Sequence, residues 1–221
     1  MPVRIIPKNY RSLTGLVLNT RTQSMTAFES SLERDFLLLL DFDLDVECYE
    51  EQPVKIVYHD AQGRRRTYTP DVLVRYRTEP PQARHPKPLL CEVKYRNELR
   101  QHWVEYRPKF RAAGRYAHQH GWRFRLVTDR DVRTPYLDNV KFLRSYQTRP
   151  ISESDRTRLL AALSALGETN PASLLHAMSP DRWQQAQLLP RLWQLIATRQ
   201  IHADLSHPLT MQSPIALKES Q

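Results

Sequence analysis

Residues 89–96, LLCEVKYR, constrain the fold more than any other stretch of the chain. The run is apolar enough for a strand, and along a strand successive side chains alternate between faces. Glu92 and Lys94 therefore share one face, while Leu89, Cys91, Val93 and Tyr95 share the other. An isolated Glu-x-Lys pair is usually a half-exposed polar face with a weak ion pair. What surrounds this pair decides its meaning.

Upstream, TAFESSLERDFLLLLDFD (26–43) is expected to be a helix, with Thr26 and Glu29 at capping-box spacing. Phe28, Leu32, Phe36, Leu39 and Leu40 keep helical period and would face a core, with Glu33 bordering that stripe. VECYEEQPVKIVYHD (46–60) and RRRTYTPDVLVRY (64–76) read as strands around DAQG, whose Gly63 suits a hairpin turn. TEPPQARHPKP (78–88), with prolines at 80, 81, 86 and 88, is a loop. After LLCEVKYR, residues 102–121 read as a helix running mainly after Pro108 and stopped by Gly121, and WRFRLVT (122–128) as a strand. Thr134 and Pro135 open a further helix as N-cap and first residue.

The order is helix, three strands, helix, strand, helix, which predicts a mixed α/β domain over residues 1–149 with 1–25 as an N-terminal arm. QTRPISES reads as a linker. Residues 150–221 then carry three short helices, the third with a break expected at Pro190, and two short strands, the element order of a winged-helix domain. Trp183 and Trp193 are expected in the core of that domain.

Of the 221 residues, Lys and Arg outnumber Asp and Glu by 33 to 24, a formal net charge of +9 that favours a polyanionic partner, nucleic acid first. Cys48 and Cys91 lie in no metal-ligand spacing, so a disulfide scaffold and structural zinc are both set aside and a reducing cytoplasm is the default. No window approaches the roughly 18 uninterrupted apolar residues of a membrane span, and no apolar leader is visible.

The acidic and basic anomalies now align as Glu33 on a helix, Asp71 after Pro70, and Glu92-Val93-Lys94. Metal-dependent cleavage of a phosphodiester gives each type a reason. Mg²⁺, or Mn²⁺ in its place, prefers hard oxygen ligands, and a few carboxylates with phosphate and water complete its shell. Asp71 and Glu92 on neighbouring strands would hold one ion with the Val93 carbonyl; Glu33 would reach it directly or through water, or help hold a second. Lys94 would orient the attacking water or stabilise the transition state. Arg64, Arg65 and Arg66 at the hairpin, and Arg96, Arg100, Arg107, Lys109 and Arg111 after the strand, are candidate contacts to a DNA backbone.

On this element order, Glu…Pro-Asp…Glu-x-Lys resembles the PD-(D/E)xK nucleases of restriction-endonuclease-like fold. The stretches FESSLERDFLLLLDFD, YEEQPVKIVY, YTPDVLVRY, CEVKYR and GWRFRLVTDRDVR further resemble the TnsA family, endonuclease subunits of heteromeric transposases, including CRISPR-associated ones. The resemblance implies cleavage of double-stranded DNA at the 5′ ends of a transposon, the non-transferred strands. It implies two partners, a DDE transposase (TnsB) that cuts and joins the 3′ ends and an AAA+ ATPase (TnsC). It also brings Gln52 of EEQPV near the site. The alternatives are a restriction or repair nuclease of the same fold, or a non-catalytic DNA-binding adaptor.

Overall fold

Around Glu92 the chain forms strands where the alternation predicts them, but two of the expected strands break in the middle. The computed structural model describes residues 15–19, 24–77 and 86–218, which fall into two compact units, Met1–Arg133 and Thr134–Gln221.

The first unit opens with a hairpin of β1 (Gly15–Asn19) and β2 (Ser24–Phe28). Part of the expected arm is therefore strand, and residues 1–14 lie outside the described residues. Helix α1 (Ser31–Phe42) starts later than the Thr26 cap predicts. Ser30 is its N-cap: the Ser30 Oγ accepts from the Glu33 N–H at 3.1 Å. Ser30 and Glu33 repeat the spacing of Thr26 and Glu29, with the Glu33 carboxylate on the Glu29 N–H and Ser30 Oγ, and Thr26 is committed to its cross-strand pairing with Val17.

The segment 46–60 splits into β3 (Val46–Glu51) and β4 (Ile56–His59), and 64–76 into β5 (Arg65–Tyr68) and β6 (Val72–Tyr76). Both breaks fall at a proline, Pro53 and Pro70, which lacks the N–H that a continuous ladder needs. β4 and β5 form their own antiparallel ribbon, turned at Gly63 with φ +74°. β3, β6, β7 (Leu89–Val93) and β8 (Arg123–Val127) form a mixed sheet in the order β3-β6-β7-β8. β7 pairs antiparallel with β6 and parallel with β8. Val72, Leu73, Val74, Leu90, Cys91 and Val93 are all 3% exposed or less. Burying each large apolar side chain there is worth about 1.5–3 kcal/mol.

Between the parallel pair runs α2 (Arg96–Gln119). It begins well before the expected 102 and passes through Pro108, with non-helical angles at His102. The helix tolerates the proline because packing of Leu99, Phe110, Ala112, Ala113 and Ala117 into the core outweighs one missing backbone bond. Gly121, at φ +72°, lies just past its end as expected. A short α3 (Asp129–Val132) closes the unit.

The second unit contains α4 (Pro135–Gln147), α5 (Glu153–Leu166), α6 (Pro171–Met178), α7 (Arg182–Ala197) and an antiparallel pair, β9 (Ile201–Ala203) and β10 (Ile215–Leu217). Three helices followed by a small hairpin is the expected order, but the division falls at 133/134 instead of 149/150. The reason is α4, whose Phe142 ring stacks edge-on against Trp193 of α7 at 5.4 Å. Asn139, 5% exposed, also donates to the carbonyls of Leu205 and His207 and accepts from the Leu209 N–H. α7 is continuous through Pro190. Trp193 is buried as expected, whereas Trp183 is 72% exposed at the start of α7 and packs no core.

Candidate active site

β6 and β7 run antiparallel with Val72 opposite Cys91, which places Asp71 beside the end of β7. The Asp71 N–H donates to the Cys91 carbonyl at 3.1 Å, and the Val93 N–H donates to the Asp71 Oδ2 at 2.7 Å. Strand pairing thus extends by one side-chain bond and fixes the carboxylate. Glu92, 2% exposed, accepts from the Tyr68 hydroxyl at Oε2 (2.7 Å) and from the Lys109 ammonium at Oε1 (3.2 Å). Lys94 Nζ donates to the Val93 carbonyl at 3.2 Å and stands 3.7 Å from Glu92 Oε1 and 3.9 Å from Asp71 Oδ2. Glu92 and Lys94 are therefore not a close two-membered pair. Two ammoniums face two carboxylates in one cleft.

Lys109 had only its basic neighbours to recommend it as a DNA contact. Its Nζ lies 4.1 Å from the Tyr106 ring, 5.0 Å from Tyr68 and 5.1 Å from Phe110, an aromatic cradle that aims the charge at Glu92. No spacing rule ties a residue in mid-helix to a strand 17 positions earlier. The parallel β7–α2–β8 crossover does so, because the helix must return the chain along the sheet.

Glu33 sits in the first turn of α1 with its carboxylate already engaged, Oε2 with the Glu29 N–H at 2.8 Å and Oε1 with Ser30 Oγ at 3.1 Å. Burial, first, and the nearby Glu29 raise its pKa, while those hydrogen bonds and Lys94 draw it down less. Its turn is fastened near Lys94 by a three-way contact. The Arg133 guanidinium donates to Ser31 Oγ (2.9 Å) and to the hydroxyl of Tyr95 (3.0 Å), which themselves lie 2.9 Å apart.

The electrostatics follow the crowding. Burial, then the charges of Glu92 and Glu33, push the Asp71 carboxyl well above its usual range, against the pull of Lys94 and the Val93 N–H. Burial alone would lower the Lys94 ammonium, but Asp71, Glu92 and Glu33 together raise it, so it stays charged at neutral pH. Tyr68 is raised by burial and by Glu92, and remains a hydrogen-bond donor. Burial also pushes the Cys91 thiol up to about 12, leaving it unreactive.

Tyr68, Asp71, Glu92, Lys94, Tyr106 and Lys109 line an open cleft of about 560 Å³ shared with Glu29, Gln52, Lys55, Tyr58 and Glu105; Glu33 and Cys91 are not among its lining residues. Gln52 donates through Nε2 to Glu29 Oε1 at 3.2 Å. Arg64, Arg65 and Arg66 of the hairpin are all exposed; Arg64 and Arg66 bond Asp60 at 2.9 and 3.1 Å, and against burial, the largest single influence, the hydrogen bonds from Arg64, Arg66 and Gln62 together bring its carboxyl down to about 2. Arg100 is exposed on α2, and Arg96 lends its backbone N–H to Asp129.

Among the described residues no three His, Cys, Asp or Glu side chains stand grouped around one ion position. The donor set fits a hard divalent cation all the same, since Mg²⁺ is commonly held by one or two carboxylates with waters and phosphate. Asp71, Glu92 and the Val93 carbonyl are hard oxygen donors, and a bound cation would offset the burial and the Glu92 charge that raise Asp71.

A mixed sheet flanked by helices, with an acid just ahead of β6 beside an acid near the end of β7 and the lysine that follows it, is an arrangement that fits a restriction-endonuclease-like domain. Residues 43–129 match the family model for the TnsA-like endonuclease N terminal, and residues 131–205 match that for the TnsA endonuclease C terminal. The chain belongs to the TnsA endonuclease family, nucleases of DNA transposition. No curated protein matches it.

Proposed function

We propose that the chain is a Mg²⁺-dependent endonuclease that cuts the 5′, non-transferred strands at transposon ends. It would work with a DDE transposase of the TnsB kind, which processes the 3′ strands, and an AAA+ ATPase of the TnsC kind. The observation that carries this reading is Asp71, held by the Val93 N–H at 2.7 Å beside Glu92 and Lys94. Asp71, Glu92 and the Val93 carbonyl would hold the ion, with Glu33 reaching it through water. When bound, it supplies charge neutralisation at the scissile phosphate and acidifies a coordinated water.

The chain's own residues do the rest. Tyr68 and Lys109 fix the Glu92 carboxylate from two sides, so its orientation need not be found during reaction. Lys94 keeps its proton and meets the charge that develops on the phosphate. Arg65, Arg96 and Arg100 offer contacts to the DNA backbone, as do Arg64 and Arg66 if phosphate competes with Asp60. Arg107, Arg111 and Arg115 line a neighbouring groove of about 420 Å³ with His59 and Trp103, a second basic track on the same helix.

The test is end cleavage with the partner transposase present, comparing wild type with Asp71→Ala and Lys94→Ala. Both substitutions should abolish 5′-strand cuts while 3′-strand processing persists, giving joined copies instead of simple insertions. Cutting of the 5′ strands at the wild-type rate by both variants refutes the assignment.

A further inference from the structure

The β4–β5 ribbon stands apart from the main sheet, and its two faces differ in kind. Directly paired residues of an antiparallel ribbon share a face. Ile56 with Tyr68, and Tyr58 with Arg66, form the inner face, where Ile56 and Tyr68 are buried in one cluster with Leu99, Phe110 and Ala113 of α2. Val57 with Thr67, and His59 with Arg65, form the outer face, and all four are exposed.

The same alternation sorts the arginines. Asp60, the single acid between residues 55 and 69, is taken up by Arg64 and Arg66. Arg65 lies on the opposite face from Arg66, and among the described residues no hydrogen bond or ion pair engages its side chain or those of His59 and Thr67. The outer face therefore sets the donors of Arg65, His59 and Thr67 among the methyl groups of Val57 and Thr67, with no carboxylate among them. It is also continuous with the proposed DNA surfaces. Lys55, Thr67 and Thr69 at the base of the ribbon line the catalytic cleft, and His59 and Ala61 at its tip line the groove of Arg107, Arg111 and Arg115.

Charge and continuity both call for DNA on this face, and its chemistry says which part. A groove for phosphates alone needs cations in a row, as along α2. Methyl groups interleaved with donors instead match the edges of bases in the major groove, which present thymine methyls and purine acceptors. Two strands about 5 Å apart also fit a groove about 12 Å wide.

We propose that the β4–β5 ribbon lies in the major groove of the substrate DNA beside the scissile phosphodiester, with Arg65 donating to O6 and N7 of a guanine. The inference rests on the nuclease reading above, which offers Arg65 to the DNA backbone; the ribbon carries that side chain past the phosphates to the bases. Val57 and Thr67 supply apolar contact nearer the cleft. β5 leads through Thr69 and Pro70 into Asp71, so a base held by Arg65 fixes which phosphodiester meets the acid. Arg65 is thus a specificity-determining residue for the position of the cut.

The experiment uses the complete end-cleavage reaction with the partner transposase present. Each guanine within about one helical turn of the cut, about 10 base pairs, is replaced in turn by 7-deazaguanine, which pairs normally but lacks N7. Wild type, Arg65→Ala and Asp71→Ala are compared by 5′-strand cleavage rate, with 3′-strand processing as internal control, and by thermal melting and the salt dependence of DNA binding. At one guanine the replacement should slow wild-type 5′ cuts about 10-fold and leave 3′ processing unchanged. Arg65→Ala should be about 10-fold slow on the natural end and no slower on the replaced one, with an unchanged melting midpoint. If Arg65→Ala cuts at the wild-type rate, or if the replacement slows it as much again, the inference falls and the nuclease reading stands. It falls likewise if no replacement slows wild type while Arg65→Ala lowers the salt slope by about one, the mark of a phosphate contact. If Asp71→Ala itself cuts normally, the nuclease reading falls and takes the inference with it.

Discussion

At Asp71, burial and the neighbouring charges of Glu92 and Glu33 oppose ionisation more strongly than Lys94 and the Val93 N–H favour it. The folded state therefore holds the Asp71 proton more tightly than the unfolded chain. Its contribution to stability is full below the unfolded value of about 3.9 and is lost as pH rises through the folded one. Asp71→Asn keeps an acceptor for the Val93 N–H and removes the charge. It should melt higher than wild type near about pH 8, with the gain shrinking toward about pH 4. A gain independent of pH in a thermal melt would show that the crowding has been misjudged. Asp71, Glu92 and Lys94 could be read from the sequence because strand alternation puts the last two on one face and Pro-Asp opens the neighbouring strand. Tyr68, Lys109 and Glu29 could not, since packing alone brings them to the cleft; Gln52 had only a family resemblance behind it.

Helix α1 shows how one residue serves an element and a candidate site together. The Glu33 carboxylate accepts from the Glu29 N–H and the Ser30 hydroxyl at the helix start, so Glu33→Ala should cost about 1 kcal/mol of stability in chemical denaturation. Glu33→Gln retains an acceptor for the cap and should cost far less. If both variants lose cleavage, the carboxylate itself acts in the cleft; if only the alanine variant does, Glu33 serves the helix alone. The same helix marks the limit of pattern reading. Two serine- or threonine-to-glutamate spacings compete over residues 26–33, and only the pairing of β2 with β1 selects the second. Pro53 and Pro70 were in plain view as strand breakers, but the alternation on either side of them masked the breaks. Pro108 erred the other way, because core packing of α2 overrides the local penalty.

For the molecule as a whole, the boundary at 133/134 has a direct consequence for fragments. A piece spanning 134–221 keeps α4 with its Phe142–Trp193 contact and the Asn139 bonds, and should give a cooperative thermal transition. A piece starting at 150 strips α4 from α7 and should melt well below it, by circular dichroism. A helix that directly follows α/β elements reads as their last member, and only its contacts assign it to the second unit. The three paired positions between β6 and β7, Val72–Cys91, Leu73–Leu90 and Val74–Leu89, carry a further consequence. A slip of two residues would preserve which side chains face the core, so apolar packing alone would scarcely reject it. It would nevertheless carry Asp71 about 7 Å from Val93. On the proposed site, phosphodiester cleavage would thus be a ruler laid across this seam, reporting the alignment of two strands that hydrophobicity cannot tell apart.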